Sequence, residues 1–177
     1  STFSNFNYQA RLRRGSGDAT SANTLFVRMG SSVGTGSLGN MWYPGYYFEY
    51  TNSGSYSIWK IASPTSTTAL QSWTSTSAIA KNNWNTLRVY ANGSTLKFYI
   101  NGYLLKTVTD SYRSSGFVGV GFADYGNPSD LFGVDWATLT KLSAKNVNVD
   151  EVSAEQEALN EAVDLADPIG DINGLFE

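Results

Sequence analysis

Histidine and cysteine are both missing from this 177-residue chain, and the two gaps exclude a large share of protein chemistry. Without an imidazole there is no Ser-His-Asp or Cys-His nucleophilic catalysis. Without imidazole and thiolate together there is no zinc site, haem ligation, iron–sulfur cluster or disulfide. Charge is scarce as well: charged residues make up 15% of the chain while aromatics reach 14%, which argues against disorder and against a long coiled coil. No apolar run is long enough for a membrane-spanning helix, and no charged-then-apolar secretion signal opens the chain. The sequence begins Ser1-Thr2, as a processed protein or a piece of a longer one would.

What is present favours a β-rich domain. Apolar residues make up 41% of the chain, enough for a sizeable core. Charge is unevenly placed: residues 1–142 carry 11 Lys and Arg against 6 Asp and Glu, whereas residues 143–177 carry Lys145 against nine acids. Composition changes at the same point, from Gly, Ser, Thr, Asn and Tyr to Glu, Asp, Ala, Val and Leu. A domain over 1–142 and an acidic tail over 143–177 are therefore expected. In the tail, Ser153 and Gln156 have capping-box spacing, and Leu159, Val163 and Ala166 form an apolar stripe that ends at Asp167-Pro168, so a helix is expected near 154–166. That narrow stripe needs a surface to pack on, which points to self-contact through residues 150–177.

Within the body, short alternating segments separated by turn residues predict strands over Asn5–Arg14, Thr24–Met29, Tyr46–Thr51, Ser55–Ala62, Trp84–Ala91, Ser94–Ile100, Tyr103–Thr109, Phe117–Phe122 and Leu131–Leu142. Asn92-Gly93 and Asn101-Gly102 read as two-residue turns joining three consecutive strands in a meander. Pairing Ala91 with Ser94 puts Leu87, Val89, Leu96 and Phe98 on one face, and Arg88, Tyr90, Lys97 and Tyr99 on the other, with Arg88 directly opposite Lys97. Trp59, Trp84 and Trp136 are expected in the core. Residues 63–78, with ten Ser and Thr, read as a solvated connection. Residues 30–40 read as a glycine-rich loop, and the Trp42 and Tyr43 that follow it either stack on a ligand or fold back as a lid.

The order Gly45-Tyr46-Tyr47-Phe48-Glu49-Tyr50-Thr51-Asn52-Ser53-Gly54-Ser55-Tyr56-Ser57-Ile58-Trp59-Lys60, then Ala69-Leu70-Gln71-Ser72-Trp73, Asn83-Trp84-Asn85-Thr86-Leu87-Arg88-Val89, Phe98-Tyr99-Ile100-Asn101-Gly102 and Gly116-Phe117-Val118-Gly119-Val120-Gly121 resembles successive strands of the concanavalin A-like lectin/glucanase jelly rolls. The likeness is to their laminin G-like and 3-keto-disaccharide hydrolase-like modules, and it covers about residues 3–142. It implies an all-β antiparallel jelly-roll sandwich, an extracellular or cell-surface location on a bacterial protein, and binding of carbohydrate or protein. It does not reach the tail.

Catalysis is not expected. Hydrolytic relatives of the laminarinase type use a Glu-x-Asp-x-x-Glu strand motif, which is absent; the body's acids are Asp18, Glu49, Asp110, Asp124, Asp130 and Asp135. Lyase relatives need the missing histidine. The resemblance raises a structural calcium, for which Asp124–Asp130 offers two carboxylates, but the spacing fits no dedicated calcium loop and turn capping accounts for these residues. No metal or cofactor is expected.

Three classes of function stay open: a glycan-binding module, a structural or adhesive module that contacts protein, and an unrecognised glycan hydrolase. Nucleic acid is disfavoured by the net charge of −3 and the lack of a basic stripe. The preferred ligand is an acidic glycan. Tyr90 and Tyr99 offer flat area to a sugar's C–H face, Arg88 and Lys97 suit its carboxylate or sulfate, and Trp42 and Tyr43 would form the rim.

Overall fold

The structure, a computed structural model, describes residues 1–36, 39–123 and 131–142. Apolar side chains at every second position in this span generate strands rather than helices. In chain order these are β1 (Phe6–Ser16), β2 (Asn23–Met29), β3 (Ser32–Gly36), β4 (Gly39–Tyr43), β5 (Gly45–Tyr50), β6 (Ser55–Ser63), β7 (Ser66–Ser75), β8 (Asn85–Asn92), β9 (Thr95–Ile100), β10 (Tyr103–Thr109), β11 (Phe117–Phe122) and β12 (Leu131–Lys141). All pairings are antiparallel. The first sheet has the order β10-β9-β8-β1-β12, the second the order β11-β2-β5-β6-β7, and β3-β4 form a separate hairpin. The described residues belong to one compact unit, Ser1–Leu142.

Between the sheets, Phe6, Tyr8, Ala10 and Leu12 of β1, Leu87 and Val89 of β8, and Leu96, Phe98 and Ile100 of β9 meet Leu25 and Val27 of β2, Tyr46, Phe48 and Tyr50 of β5, and Tyr56 and Ile58 of β6. Phe48 and Phe98 join the two layers edge to face at 5.2 Å between ring centroids. Truncating either ring would cost about 3–5 kcal/mol. A smaller cluster of Met29, Met41, Tyr47 and Ile61, flanked by Phe26, Tyr43, Trp59 and Phe117, fastens the β3-β4 hairpin to the outward side of the second sheet.

The nine expected strands form, within two residues at each end, and β8-β9-β10 is the expected meander. The turns differ from each other. Asn101 and Gly102 both have positive φ, 50° and 83°, as a two-residue turn needs at both central positions. In the first turn Gly93 (φ 54°) takes the leading position, followed by Ser94, so Asn92 pairs with Thr95 and Ala91 with Leu96. This moves the β8-β9 register by two residues from the expected one. Because side chains alternate with period two, the faces are unchanged but the opposing pairs are not. Arg88 lies opposite Tyr99, and Lys97 opposite Tyr90; the like-charge pair of Arg88 and Lys97 does not form.

Three further expectations are corrected. Residues 32–36 and 39–43 form strands despite their glycines, because they pair with each other and Met41 and Tyr43 are anchored in the smaller cluster. Ser66–Ser75 is the edge strand of the second sheet rather than a free connection, pinned by Leu70 against the main core. Trp84 and Trp136 lie outside the core: Trp136 pairs with outward-facing Arg11 across a bulge in β12, and Trp84 immediately precedes β8. Trp59 packs against the smaller cluster, on the outward side of its sheet. The Asp124–Asp130 segment, the tail 143–177 and its helix near 154–166 lie outside the described residues.

Candidate functional site

The outward side of the first sheet follows from the alternation along β1, β8 and β9. Each of its rows can be read across strands from the register: Thr140, Asn7, Tyr90, Lys97 and Thr107; then Thr138, Gln9, Arg88, Tyr99 and Leu104; then Trp136, Arg11 and Thr86. The last row pairs Gly133 with Arg13. Arg88, Tyr90, Lys97 and Tyr99 thus share one face, joined by Arg11, Arg13 and Trp136.

The Arg88 guanidinium carbon sits 3.9 Å from the centroid of the Tyr99 ring, a stacked cation–π contact worth about 0.5–2 kcal/mol depending on desolvation. Arg88 is 8% exposed, so the contact holds the guanidinium in place instead of leaving it to sweep through solvent. Arg11 donates to Asp135 at 3.0 Å and lies 5.6 Å from the Trp84 ring centroid.

Hydrogen bonding on this face is incomplete. Among the described residues, six shielded side-chain atoms have no partner: Asn7 Oδ1, Gln9 Oε1, Arg13 Nε, Ser21 Oγ, Asn52 Oδ1 and Tyr90 OH. Four of these, from Asn7, Gln9, Arg13 and Tyr90, belong to the outward positions of β1 and β8. Shielded polar atoms of this kind cost about 1–3 kcal/mol each unless something bonds them.

The outward side of the second sheet has a different chemistry. Glu49 of β5 stands between Thr24 of β2 and Ser57 of β6. Thr24 Oγ1 donates to one carboxylate oxygen at 3.3 Å and Ser57 Oγ to the other at 3.1 Å, while Trp59 Nε1 donates to Ser57 Oγ at 2.8 Å. Burial pushes the Glu49 carboxyl up to about 7, although both hydroxyl hydrogen bonds pull the other way. No cation pairs with it among the described residues. The next row is aromatic: Phe26, Tyr47 and Trp59 lie side by side, with Phe26 and Tyr47 at 4.8 Å between centroids. Residue-type reasoning passed over Glu49. The available signal was its place two residues after Tyr47 on the same face of a strand, as the body's sole glutamate.

Trp42 and Tyr43 are adjacent in β4 and so face opposite ways. Tyr43 folds back onto the smaller cluster, while Trp42 points out beside Val33 and is 47% exposed. The lid and the free aromatic are thus two different residues. Both belong to the second sheet's side of the sandwich, so they cannot rim the face that carries Arg88, Tyr90, Lys97 and Tyr99.

Asp110, at the exit of β10, is the best-satisfied carboxylate among the described residues. It accepts from Lys60 at 2.8 Å, Tyr46 OH at 2.7 Å and the Tyr112 backbone at 2.8 Å. Burial alone would raise this carboxyl, but the three hydrogen bonds and the Lys60 charge outweigh it and hold it below the ordinary value. Asp18 caps its own turn through Thr20 at 2.7 Å. Neither group is free for chemistry.

A family model described as the concanavalin A-like lectin/glucanases superfamily matches residues 2–162. Among solved structures, the carbohydrate-binding module CBM66 from Bacillus subtilis superposes with a TM-score of 0.61 at 17% identity, over 80% of this chain and 78% of that one. The galectin LEC-6 from Caenorhabditis elegans gives 0.53 at 13%, over 78% and 84%. Sheep galectin-11 gives 0.51 at 11%, over 77% and 90%. These likenesses are to the fold. No curated protein matches the sequence.

Proposed function

The chain belongs to the concanavalin A-like lectin/glucanase superfamily, and from that membership we propose that it is a non-catalytic carbohydrate-binding module of a secreted or cell-surface protein, with an acidic glycan as its ligand. Structures with the same fold include a carbohydrate-binding module and galectins, which supports a sugar ligand. The observation that carries the reading is the outward side of the first sheet, where Arg88, Lys97 and Arg13 alternate with Tyr90, Tyr99 and Trp136 around four unpartnered polar atoms. Aromatic rings receive the C–H face of a pyranose, cations receive its carboxylate or sulfate, and Asn7, Gln9 and the Tyr90 hydroxyl exchange hydrogen bonds with its hydroxyls.

The described carboxylates are distributed rather than paired. Glu49 and Asp135 face outward from opposite sheets, Asp110 is held by Lys60 and Asp18 caps a turn. A glycosidase needs two carboxyls flanking one bond. Glu49 is the one observation that favours the hydrolase alternative, since a carboxyl near neutrality suits a general acid.

An array of neutral and acidic glycans tests the proposal, followed by a turnover assay on any sugar that binds. Retention on acidic glycans without cleavage is the expected result. If nothing on the array binds, the adhesive, protein-contacting module replaces this reading.

A further inference from the structure

We propose that the depression between Arg13 and Trp84, at the end of the first sheet, is a subsite for a carboxylate-bearing sugar residue; this rests on the glycan reading above and assigns that ligand a uronic acid unit. The depression measures about 300 Å³ and is lined by Arg13, Gly15, Trp84, Leu131, Phe132 and Gly133. That volume is at the lower end for small-molecule sites, consistent with one sugar residue rather than a long groove.

Its shape comes from a missing side chain. A Cβ at Gly133 would lie 3.0 Å from Cη2 of the Trp84 indole, closer than neighbouring carbons pack. With glycine there the indole lies across β12 and forms a wall, and a larger residue would have to displace it. Leu131, 63% exposed, stands at the lip. Trp84 and Leu131 together offer an apolar surface to the C–H side of a sugar ring, while the Phe132 ring packs inward on the main core and against Phe122.

The polar half is Arg13, and its neighbours show why it is singled out. Arg11, two positions earlier on the same face, is neutralised by Asp135 at 3.0 Å. Arg14 turns the other way and donates to Asn23 Oδ1 at 3.2 Å, the Ala22 carbonyl at 3.2 Å and the Ala123 carbonyl at 2.9 Å. Arg13 has no carboxylate among the described residues, and its shielded Nε has no acceptor. Among the described residues its side chain therefore makes no hydrogen bond or ion pair that holds the fold. A guanidinium presents a planar fork of donors that matches a carboxylate in two parallel hydrogen bonds. An anionic sugar supplies both absent partners, a charge for the fork and a C–H face for the indole.

The test compares trigalacturonate with its methyl ester, which keeps the sugar and removes the charge, by calorimetric titration of the full chain. The parent should bind the acid more tightly than the ester. Arg13→Gln should weaken acid binding about tenfold or more and abolish the preference over the ester, with an unchanged or higher thermal midpoint that shows the fold is intact. Trp84→Ala and Gly133→Val should weaken acid and ester alike. If Arg13→Gln and Trp84→Ala bind as the parent does while Arg88→Gln loses binding, the subsite is refuted and the glycan reading stands. If the parent binds neither compound nor any other glycan, both fall.

Discussion

Replacing Glu49 by Gln should stabilise the protein, but only above the ordinary carboxylate range. Among the described residues Glu49 has no cation beside it, and burial lifts its carboxyl from 4.5 to about 7. A carboxyl that holds its proton more tightly when folded than when unfolded favours the folded state fully below about pH 4.5. That advantage is lost as the pH rises through 7, because the folded chain must then accommodate a desolvated charge. Two and a half units correspond to about 3 kcal/mol, and the solvent access that the side chain retains lowers the realised penalty to about 2–3 kcal/mol. Glutamine has nearly the same shape, and its amide can bond the Thr24 and Ser57 hydroxyls without charge. Glu49→Gln should therefore raise the thermal midpoint at pH 8 by about 5–10 °C for a chain of this length, and leave it within a degree or two at pH 4. Scanning calorimetry of both proteins at half-unit steps from pH 4 to 9 makes the comparison, and every other titrating group cancels in the difference. A difference that stays constant across this range would refute the reasoning, because packing and hydrogen bonding, unlike ionisation, do not titrate.

Asp110 has the opposite sign. Its carboxyl is held low by Lys60, Tyr46 and the Tyr112 backbone, so Asp110→Asn should cost about 1–3 kcal/mol at pH 7 and progressively less as the pH falls below 4, as urea unfolding at several pH values would show. Arg88→Gln combined with Lys97→Gln should weaken binding of acidic glycans and flatten its salt dependence, since screening acts only on the charge contribution; titrations at 50 and 500 mM salt, values chosen to bracket a Debye length of about 10 Å, read this out. Tyr43→Ala should lower stability by about 2–4 kcal/mol through loss of its contacts with the smaller cluster, whereas Trp42→Ser, on the exposed side of the same strand, should change it by less than about 0.5 kcal/mol. Equal effects of these two substitutions on thermal unfolding would mean that the alternation in β4 has been misassigned.

The strands were legible where burial on one side imposes a period of two, as in Phe6-Asn7-Tyr8-Gln9-Ala10 or Leu96-Lys97-Phe98. The Asn101-Gly102 turn was legible because two positive φ values demand those residue types. Asn92-Gly93-Ser94 offers two overlapping turns of equal length, and local sequence does not choose between them; in the structure Gly93 leads the turn. β7 hid because an edge strand with a single inward anchor, Leu70, carries little alternation. The β3-β4 hairpin hid because its order comes from Met41 and Tyr43 reaching partners on β2, β5 and β6. The charged face was visible as alternation in β1, β8 and β9, yet which arginine lacks a partner among the described residues depends on Asp135 arriving through a bulge in β12. Trp84 and Trp136 were misplaced for a related reason: a residue beside a bulge or just before a strand does not inherit the strand's alternation.

The hairpin of β3 and β4 is hydrogen-bonded as a sheet only to itself, and its hydrophobic fastening is a cluster separate from the one between the main sheets. Opening it therefore breaks few contacts of the sandwich. Its amide protons can exchange through a local excursion far smaller than global unfolding, and a protease that nicks it can leave both five-stranded sheets assembled. The same independence makes the exposed side of this segment, with Val33 and Trp42, tolerant of substitution. The Trp42 surface can thus be altered while the scaffold that carries the opposite face is held constant.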